Sequence, residues 1–269
     1  MIFSSELLAS TNMLFDSHCH LDFPEFAVGI SSHLDQAQAK GVTDILVPGV
    51  TSSDWPRVIQ TCQLNHPIRR HLALGLHPCF LQQHDLDHDL LTLETHLKQR
   101  DDVVAIGECG LDLFIENPQL EIQQTLLDAQ LELAAAFELP VVLHVRRSVD
   151  LITQRLKRHR LRRGGIAHAF SGSQQQADNL VALGFLIGVG GAVTYERANR
   201  LRRVVCSLPL TSLALETDAP DMPLSGYQGM PNHPSQVAQV VETVAALRGE
   251  PVEAIAQQTH HNVAALLGL

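Results

Sequence analysis

A chain of 269 residues with 45% hydrophobic side chains and no low-complexity run can bury a substantial core, and barrels of this length form one domain. A formal net charge of −10 argues against tight nonspecific binding to long nucleic acid, whose affinity comes from basic surfaces, but permits a phosphate-bearing ligand held locally. Five cysteines with no C-x-x-C pair exclude a disulfide framework and a zinc knuckle, so a reducing, cytoplasmic compartment is expected.

No apolar run approaches the roughly 18 residues that a membrane span needs. The N-terminus lacks the basic, apolar, small-residue order of a secretory signal. Residues 1–12 fit no element and are expected to be an N-terminal extension, which places the folded domain at residues 13–269.

From Met13 onward, apolar runs of strand length alternate with helical patterns. The first strand leads into Asp16-Ser17-His18-Cys19-His20. Strand side chains alternate faces, so His18 and His20 should point one way and Cys19 the other, as a small buried hydrophobe. A helix at residues 32–40 precedes the second strand at 43–50, and Ser53 is the candidate N-cap of the next helix. Residues 72–76 make the third strand and 90–99 the third helix. The fourth strand, 103–108, is followed by Asn117-Pro118, a cap and first-turn pair expected to open a long helix. Leu120, Leu127, Leu131 and Ala134 fall on one stripe of that helix, as packing on a sheet requires. Strands five to eight are placed at 141–144, 165–169, 185–189 and 213–217, each followed by a helix, the last at 251–267. Eight strand–helix units predict an α/β fold, a single-domain (β/α)8 TIM barrel, in preference to a doubly wound sheet.

Four of these strands close on a potential ligand: Glu108, His144, His168 and Asp218. The C-terminal strand ends form the catalytic face of such barrels. With His18 and His20 the count reaches six, more than one tetrahedral zinc takes. Because a carboxylate can bridge, two divalent cations, Zn, Mg or Mn, are expected about 3.5–4 Å apart. Asp16 and Glu216 share faces with His18 and Asp218. They are expected beneath the ions, orienting a ligand imidazole, with an ion pair to an inward basic residue as the other reading of Glu216.

Asp16-Ser17-His18-Cys19-His20-Leu21-Asp22, Gly75-Leu76-His77-Pro78, Ile106-Gly107-Glu108-Cys109-Gly110-Leu111-Asp112, His168-Ala169-Phe170-Ser171-Gly172-Ser173 and Glu216-Thr217-Asp218-Ala219-Pro220 resemble the TatD family of metal-dependent hydrolases. The resemblance covers almost the whole chain from Met13. It implies a metal-dependent nuclease on an amidohydrolase-like barrel, with DNA as substrate. It further implies that His18, His20 and Asp218 hold one ion, that His144 and His168 hold the other, and that Glu108 bridges them. By similarity to the family's His-x-Arg pattern Arg146 reads as a phosphate contact, with a structural ion pair as its other reading, and His77 is a comparable substrate-binding candidate. Cys109 stands where many relatives carry an aliphatic residue.

The expected reaction is hydrolysis of a phosphodiester at a nucleic-acid end, for example 3'-5' exonucleolytic, or of a small phosphodiester, with Asp218 also the general base. The alternative is an amide or ester hydrolase on the same barrel, including aminoacyl esters. Strand four ends in Glu108, where many amidohydrolases use a lysine carbamate, and this favours the nuclease-like branch. Neither membrane contact nor an obligate protein partner is expected.

Three further features have competing readings. The basic residues 155–163 precede strand six and read as a solvated helix end rather than a nucleic-acid patch. Glycines 188, 190 and 191 could let backbone amides approach a phosphate. Phe23, Phe26, Trp55, Phe80, Phe114, Phe170, Tyr195 and Tyr227 follow strands, where they could stack bases or cap the core.

Overall fold

Alternation of side chains along each apolar run sorts the residues of this barrel into an inside and an outside. The computed structural model describes residues 13–269, and the extension expected at residues 1–12 lies outside the described residues. Eight parallel strands pair in sequence order: β1 (Leu14–Asp16), β2 (Val42–Pro48), β3 (Arg69–Leu74), β4 (Val103–Asp112), β5 (Val141–Arg146), β6 (Gly165–His168), β7 (Phe185–Val189) and β8 (Leu213–Leu215). Helices α1 (Pro24–Ala27) and α2 (Ile30–Ala39) follow β1, and α3 (Trp55–Cys62) follows β2. Next come α4 (Leu86–Gln99), α5 (Leu120–Ala136), α6 (Val149–His159), α7 (Gln174–Val181) and α8 (Asn199–Ser207), one after each strand from β3 to β7. Two helices, α9 (Val237–Arg248) and α10 (Val252–Leu267), complete the ring after β8. The expected (β/α)8 TIM barrel is the observed fold.

Every strand contributes one residue to the interior layer: Phe15, Leu46, Ala73, Ala105, Val142, Ile166, Leu186 and Ala214. Val263 and Leu267 of α10 pack onto this layer and plug one end of the barrel. Outward residues of the strands, such as Ile45, Val47, Leu72, Leu143 and Ile187, form the larger cluster with the helices, including Leu127, Leu131 and Ala134 of α5.

Several element ends differ from expectation. Ser53 is not a cap: α3 begins at Trp55 after Asp54, whose carboxylate accepts from Thr51 Oγ1 at 2.6 Å. Asn117-Pro118 does not open α5, because Gln119 takes a left-handed turn (φ 43°) before the helix starts. Strand β1 stops at Asp16, so His18 and His20 lie beyond it. Cys19 nevertheless makes a parallel bridge to Ala219, which preserves the alternation and leaves both histidines on one side. The barrel closes through the same segment. Backbone bonds run from Ser17 N to Leu215 O (2.9 Å), from Asp218 N to His18 O (2.8 Å) and from His20 N to Ala219 O (2.8 Å). No helix of the described residues is long and apolar enough to cross a membrane.

Near the start of β2, the buried Asp44 ties three elements together. It accepts from Arg69 at 2.7 Å and lies 2.8 Å from His71 Nε2, both on β3, and 2.9 Å from His260 Nε2 on α10. Burial raises the Asp44 pKa, but the hydrogen bonds from His260, His71 and Arg69 outweigh it and hold the carboxyl well below the usual range. A depressed folded pKa stabilises above the unfolded value and is lost as pH falls below it. Between about pH 5 and about pH 3 the wild-type thermal midpoint should therefore fall faster than that of Asp44→Asn, measured by circular dichroism. Parallel decline of the two would show that Asp44 carries no pH-linked stability.

Candidate metal centre

Two-residue steps beyond the interior layer lead from Val142 to His144, from Ile166 to His168 and from Ala214 to Glu216, all on the lumen side. The path Ala73, Gly75, His77 does the same past β3. A Cβ at Gly75 would stand 2.5–2.8 Å from backbone atoms of Gly107 and Glu108, so that close approach needs glycine. Glu108 is an odd number of residues from Ala105. It turns inward because the pairing of β4 with β5 shifts register between Ile106 and Cys109.

Six side chains converge above the layer. Nε2 of His18 lies 3.2 Å from Nε2 of His20 and 3.1 Å from Oε2 of Glu108, and Nε2 of His20 is 3.4 Å from that oxygen. Oδ1 of Asp218 is 3.6, 3.7 and 3.7 Å from Nε2 of His18, His20 and His168. Neighbouring ligands of a four-coordinate ion with bonds of about 2.0–2.2 Å stand roughly 3.3–3.6 Å apart, so these spacings fit a cation. Nδ1 of His18 and Nδ1 of His20 are buried without a hydrogen-bond partner, so the polar contacts of both rings gather at Nε2. The second oxygen of Glu108, Oε1, lies 2.8 Å from His144 Nδ1, 3.1 Å from His77 Nε2 and 3.9 Å from His168 Nε2. One carboxylate thus faces two donor sets, and both could hold a cation.

Outer contacts select the tautomers. His144 Nε2 lies 2.9 Å from Asp112 Oδ2, which leaves Nδ1 free toward Glu108. His168 Nδ1 lies 3.1 Å from Glu216 Oε1 without the geometry of a hydrogen bond, and that oxygen accepts from Ala169 N at 2.6 Å, so among the described residues Glu216 pairs with no basic side chain but lies against the imidazole. Asp16 reaches no imidazole. Its carboxylate instead accepts from Thr217 N (2.9 Å) and Thr217 Oγ1 (2.6 Å), fixing the backbone that carries Asp218. His77 Nδ1 accepts from Cys79 N at 3.0 Å, so Nε2 carries the proton and serves as a donor. Sequence reasoning gave Asp112 no role. An even step of four from Glu108 along the same strand was the available signal, hidden because β4 was expected to end at Glu108.

The remaining features divide. Arg146 lines the pocket of about 540 Å³ over the centre, its guanidinium 4.1 Å from the Phe114 ring centroid. The basic residues of α6 turn elsewhere: Arg155 pairs with Asp128 of α5, and His159 lies 3.0 Å from the same carboxylate. The space beside glycines 188 and 190 is taken by Glu216, whose Oε2 would lie 2.5 Å from a Cβ at 188. Trp55, Phe26 and Phe170 are buried caps of the core, whereas Phe114 and Tyr227 are exposed and Phe23 stacks on His20 at 4.6 Å.

Residues 15–268 match the family described as TatD related DNase. The chain belongs to that family. Among its relatives, the "Uncharacterized metal-dependent hydrolase YjjV" of Escherichia coli K12 is 48% identical over 94% of this chain and 97% of its own length. The crystal structure of that TatD homologue superposes with a TM-score of 0.92 over 96% of this chain and 99% of its own. A Pantoea protein named "3'-5' ssDNA/RNA exonuclease TatD" is 31% identical over 95% of this chain and all of its own.

Charge in the TatD-type centre is strongly coupled. Burial depresses His77 to about 4 and lowers His18 far below its usual value, the latter helped by His168. Burial opposes protonation of His168 too, but Glu216, Asp218 and Glu108 overcome it and raise that imidazole to about 10. Burial alone would raise Glu108, yet the surrounding His77, His18 and His168 hold it well below the carboxylate range. Burial lifts Asp218 to about 6.

Gly188→Ala should push Glu216 away from His168 and destabilise the fold by about 1–3 kcal/mol, the scale of overpacking a well-filled site. Gly190→Ala, whose Cβ would meet Glu216 atoms at 3.4 Å, should cost less than half as much in the same denaturant titration. Equal costs would show that the Glu216 seat is not what glycine 188 protects.

Proposed function

We propose that this TatD-family metal-dependent hydrolase cleaves phosphodiester bonds at the end of a nucleic-acid strand in the cytosol, where its five free cysteines remain reduced. Two divalent cations would be held by His18, His20, Glu108 and Asp218 on one side and by Glu108, His144 and His168 on the other. The observation that carries this reading is the division of Glu108, with Oε2 against His18 and His20 and Oε1 against His144 and His168. Bound there, divalent cations generate a nucleophile from water near neutral pH and offset charge on phosphoryl oxygens.

The chain's own groups supply the rest. His77, neutral, directs its Nε2–H at Glu108 Oε1 (3.1 Å) on the pocket wall, and Arg146 offers a planar fork suited to a phosphate. Oδ1 of Asp218 is the oxygen nearest three imidazoles, so Oδ2 is the one to take the proton. A carboxylate placed beside the water that it activates is a common general base. Relatives named as single-stranded DNA/RNA exonucleases support a strand end as substrate.

Metal analysis after reconstitution should approach two cations per chain. Because His168 holds its proton up to about pH 10 without metal, uptake at neutral pH should release protons and tighten as pH rises, seen as buffer-dependent heats in calorimetry. A firm value of one with Glu108 intact would remove the bridge.

The decisive experiment compares a single-stranded oligonucleotide with amide and ester panels on the metal-loaded protein. The oligonucleotide should be turned over best, and Asp218→Asn should lower kcat on it by about 10²-fold or more. Faster turnover of esters or amides would overturn the phosphodiester reading, and near-wild-type kcat in Asp218→Asn would overturn the base.

A further inference from the structure

Beside the metal pocket lies a second groove, of about 550 Å³, lined by Ala192, Tyr195, Arg197, Ala198, Met222 and Pro223. Its walls come from the loops after β7 and β8, so it opens on the same face as the centre, and Ala192 and Met222 line both spaces. The walls are tied to each other. Tyr195 donates its hydroxyl to Pro223 O (2.8 Å) and Ser225 N donates to Thr194 Oγ1 (2.8 Å), while within the β8 loop Asn232 Nδ2 donates to Met222 O (3.2 Å). A Cβ at Gly191 would lie 2.5 Å from Met222 O, so the two loops pack without slack.

The chemistry of this groove is mixed in a particular way. Met222 is exposed, the Tyr195 ring is half-buried, and Arg197 lies over that ring with its guanidinium 5.1 Å from the centroid. Among the described residues Arg197 makes no ion pair, although the chain carries a net charge of −10. An apolar slot beside an aromatic ring, with an unpaired cation at its mouth, matches a nucleobase and the phosphate attached to it. An amide or simple ester offers no anion for Arg197.

We propose that the groove between the β7 and β8 loops is the seat of one unpaired nucleotide, adjacent to the phosphodiester held at the metal centre, with its base on Tyr195 and Met222 and its phosphate on Arg197. This rests on the phosphodiesterase reading above. It adds that the substrate is a single strand at least two nucleotides long, engaged on the Met222 side of the centre.

The test compares kcat/KM for an oligodeoxythymidine pentamer and for methyl p-nitrophenyl phosphate, a small phosphodiester that carries no nucleotide for the groove. Arg197→Glu and Ala198→Trp, one removing the cation and one filling the slot, should each lower the pentamer-to-ester ratio about tenfold through KM, with a loss on the scale of one stacked base. Arg158→Glu, on the exposed part of α6, should leave the ratio unchanged. The proposal is overturned if both groove variants keep the wild-type ratio, if Arg158→Glu lowers it equally, or if a blunt duplex pentamer shows the same groove dependence. If the wild type hydrolyses neither compound, the phosphodiesterase reading fails separately. The groove is then judged by fluorescence anisotropy of the labelled pentamer on metal-loaded protein, where Arg197→Glu should weaken binding about tenfold and equal affinity overturns the seat.

Discussion

The arrangement depends on one seam, where the first and last strands meet. Strands β1 and β8 are each only three residues long, and above them Ser17, His18 and His20 hydrogen-bond to Leu215, Asp218 and Ala219. That seam closes the barrel and also sets His18 and His20 against Asp218, residues 200 apart in the chain. Asp16 reinforces it from below through two bonds to Thr217. Burial pushes this carboxyl up to about 8 despite those bonds. Asp218 sits at the end of the seam in a left-handed conformation (φ 60°) that a β-carbon disfavours, and its N–H is held by His18 O. The contacts that close the barrel are therefore also the contacts that set His18 and His20 against Asp218.

Above the seam, the centre is a cluster of four imidazoles and two carboxylates nearly removed from water. Such a cluster is costly unless its charges compensate. Glu108 compensates by facing both donor sets, Asp112 holds the His144 ring from behind, and Glu216 lies 3.1 Å from Nδ1 of His168. His18 stacks on His168 with centroids 3.6 Å apart, so displacing either ring disturbs both donor sets. The protonation preferences follow from this crowding: His168 stays charged among three carboxylates, while His77 and His18 stay neutral. Cations entering the cluster would replace protons rather than fill an uncharged space.

Around this anionic centre the rim is of opposite character. Arg146 at the end of β5 and Arg147 just past it both lie over Phe114, and Arg197 lies over Tyr195 on the loop that follows β7. On α6, Arg155 and His159 are engaged by Asp128 of the neighbouring helix. Three arginines thus stand on the rim of a chain whose net charge is −10.

The amino-acid sequence was sufficient for the eight strand–helix units and for the six converging groups, because both rest on local rules. Apolar runs with a period of two make buried strands, and a polar residue ending such a run must emerge at the rim. What depends on register was not legible. The bulge that turns Glu108 inward, the continuation of β4 to Asp112, the left-handed turn at Gln119 and the use of Asp16 to clip β8 each follow from pairing with a neighbouring strand or helix. The glycines after β7 show the same limit. As a sequence they suggest a loop able to approach an anion, but in the fold their missing side chains are space for Glu216, a residue nearly thirty positions away. A side chain's direction past a strand end is set by its neighbours in the barrel, and only the closed barrel supplies them.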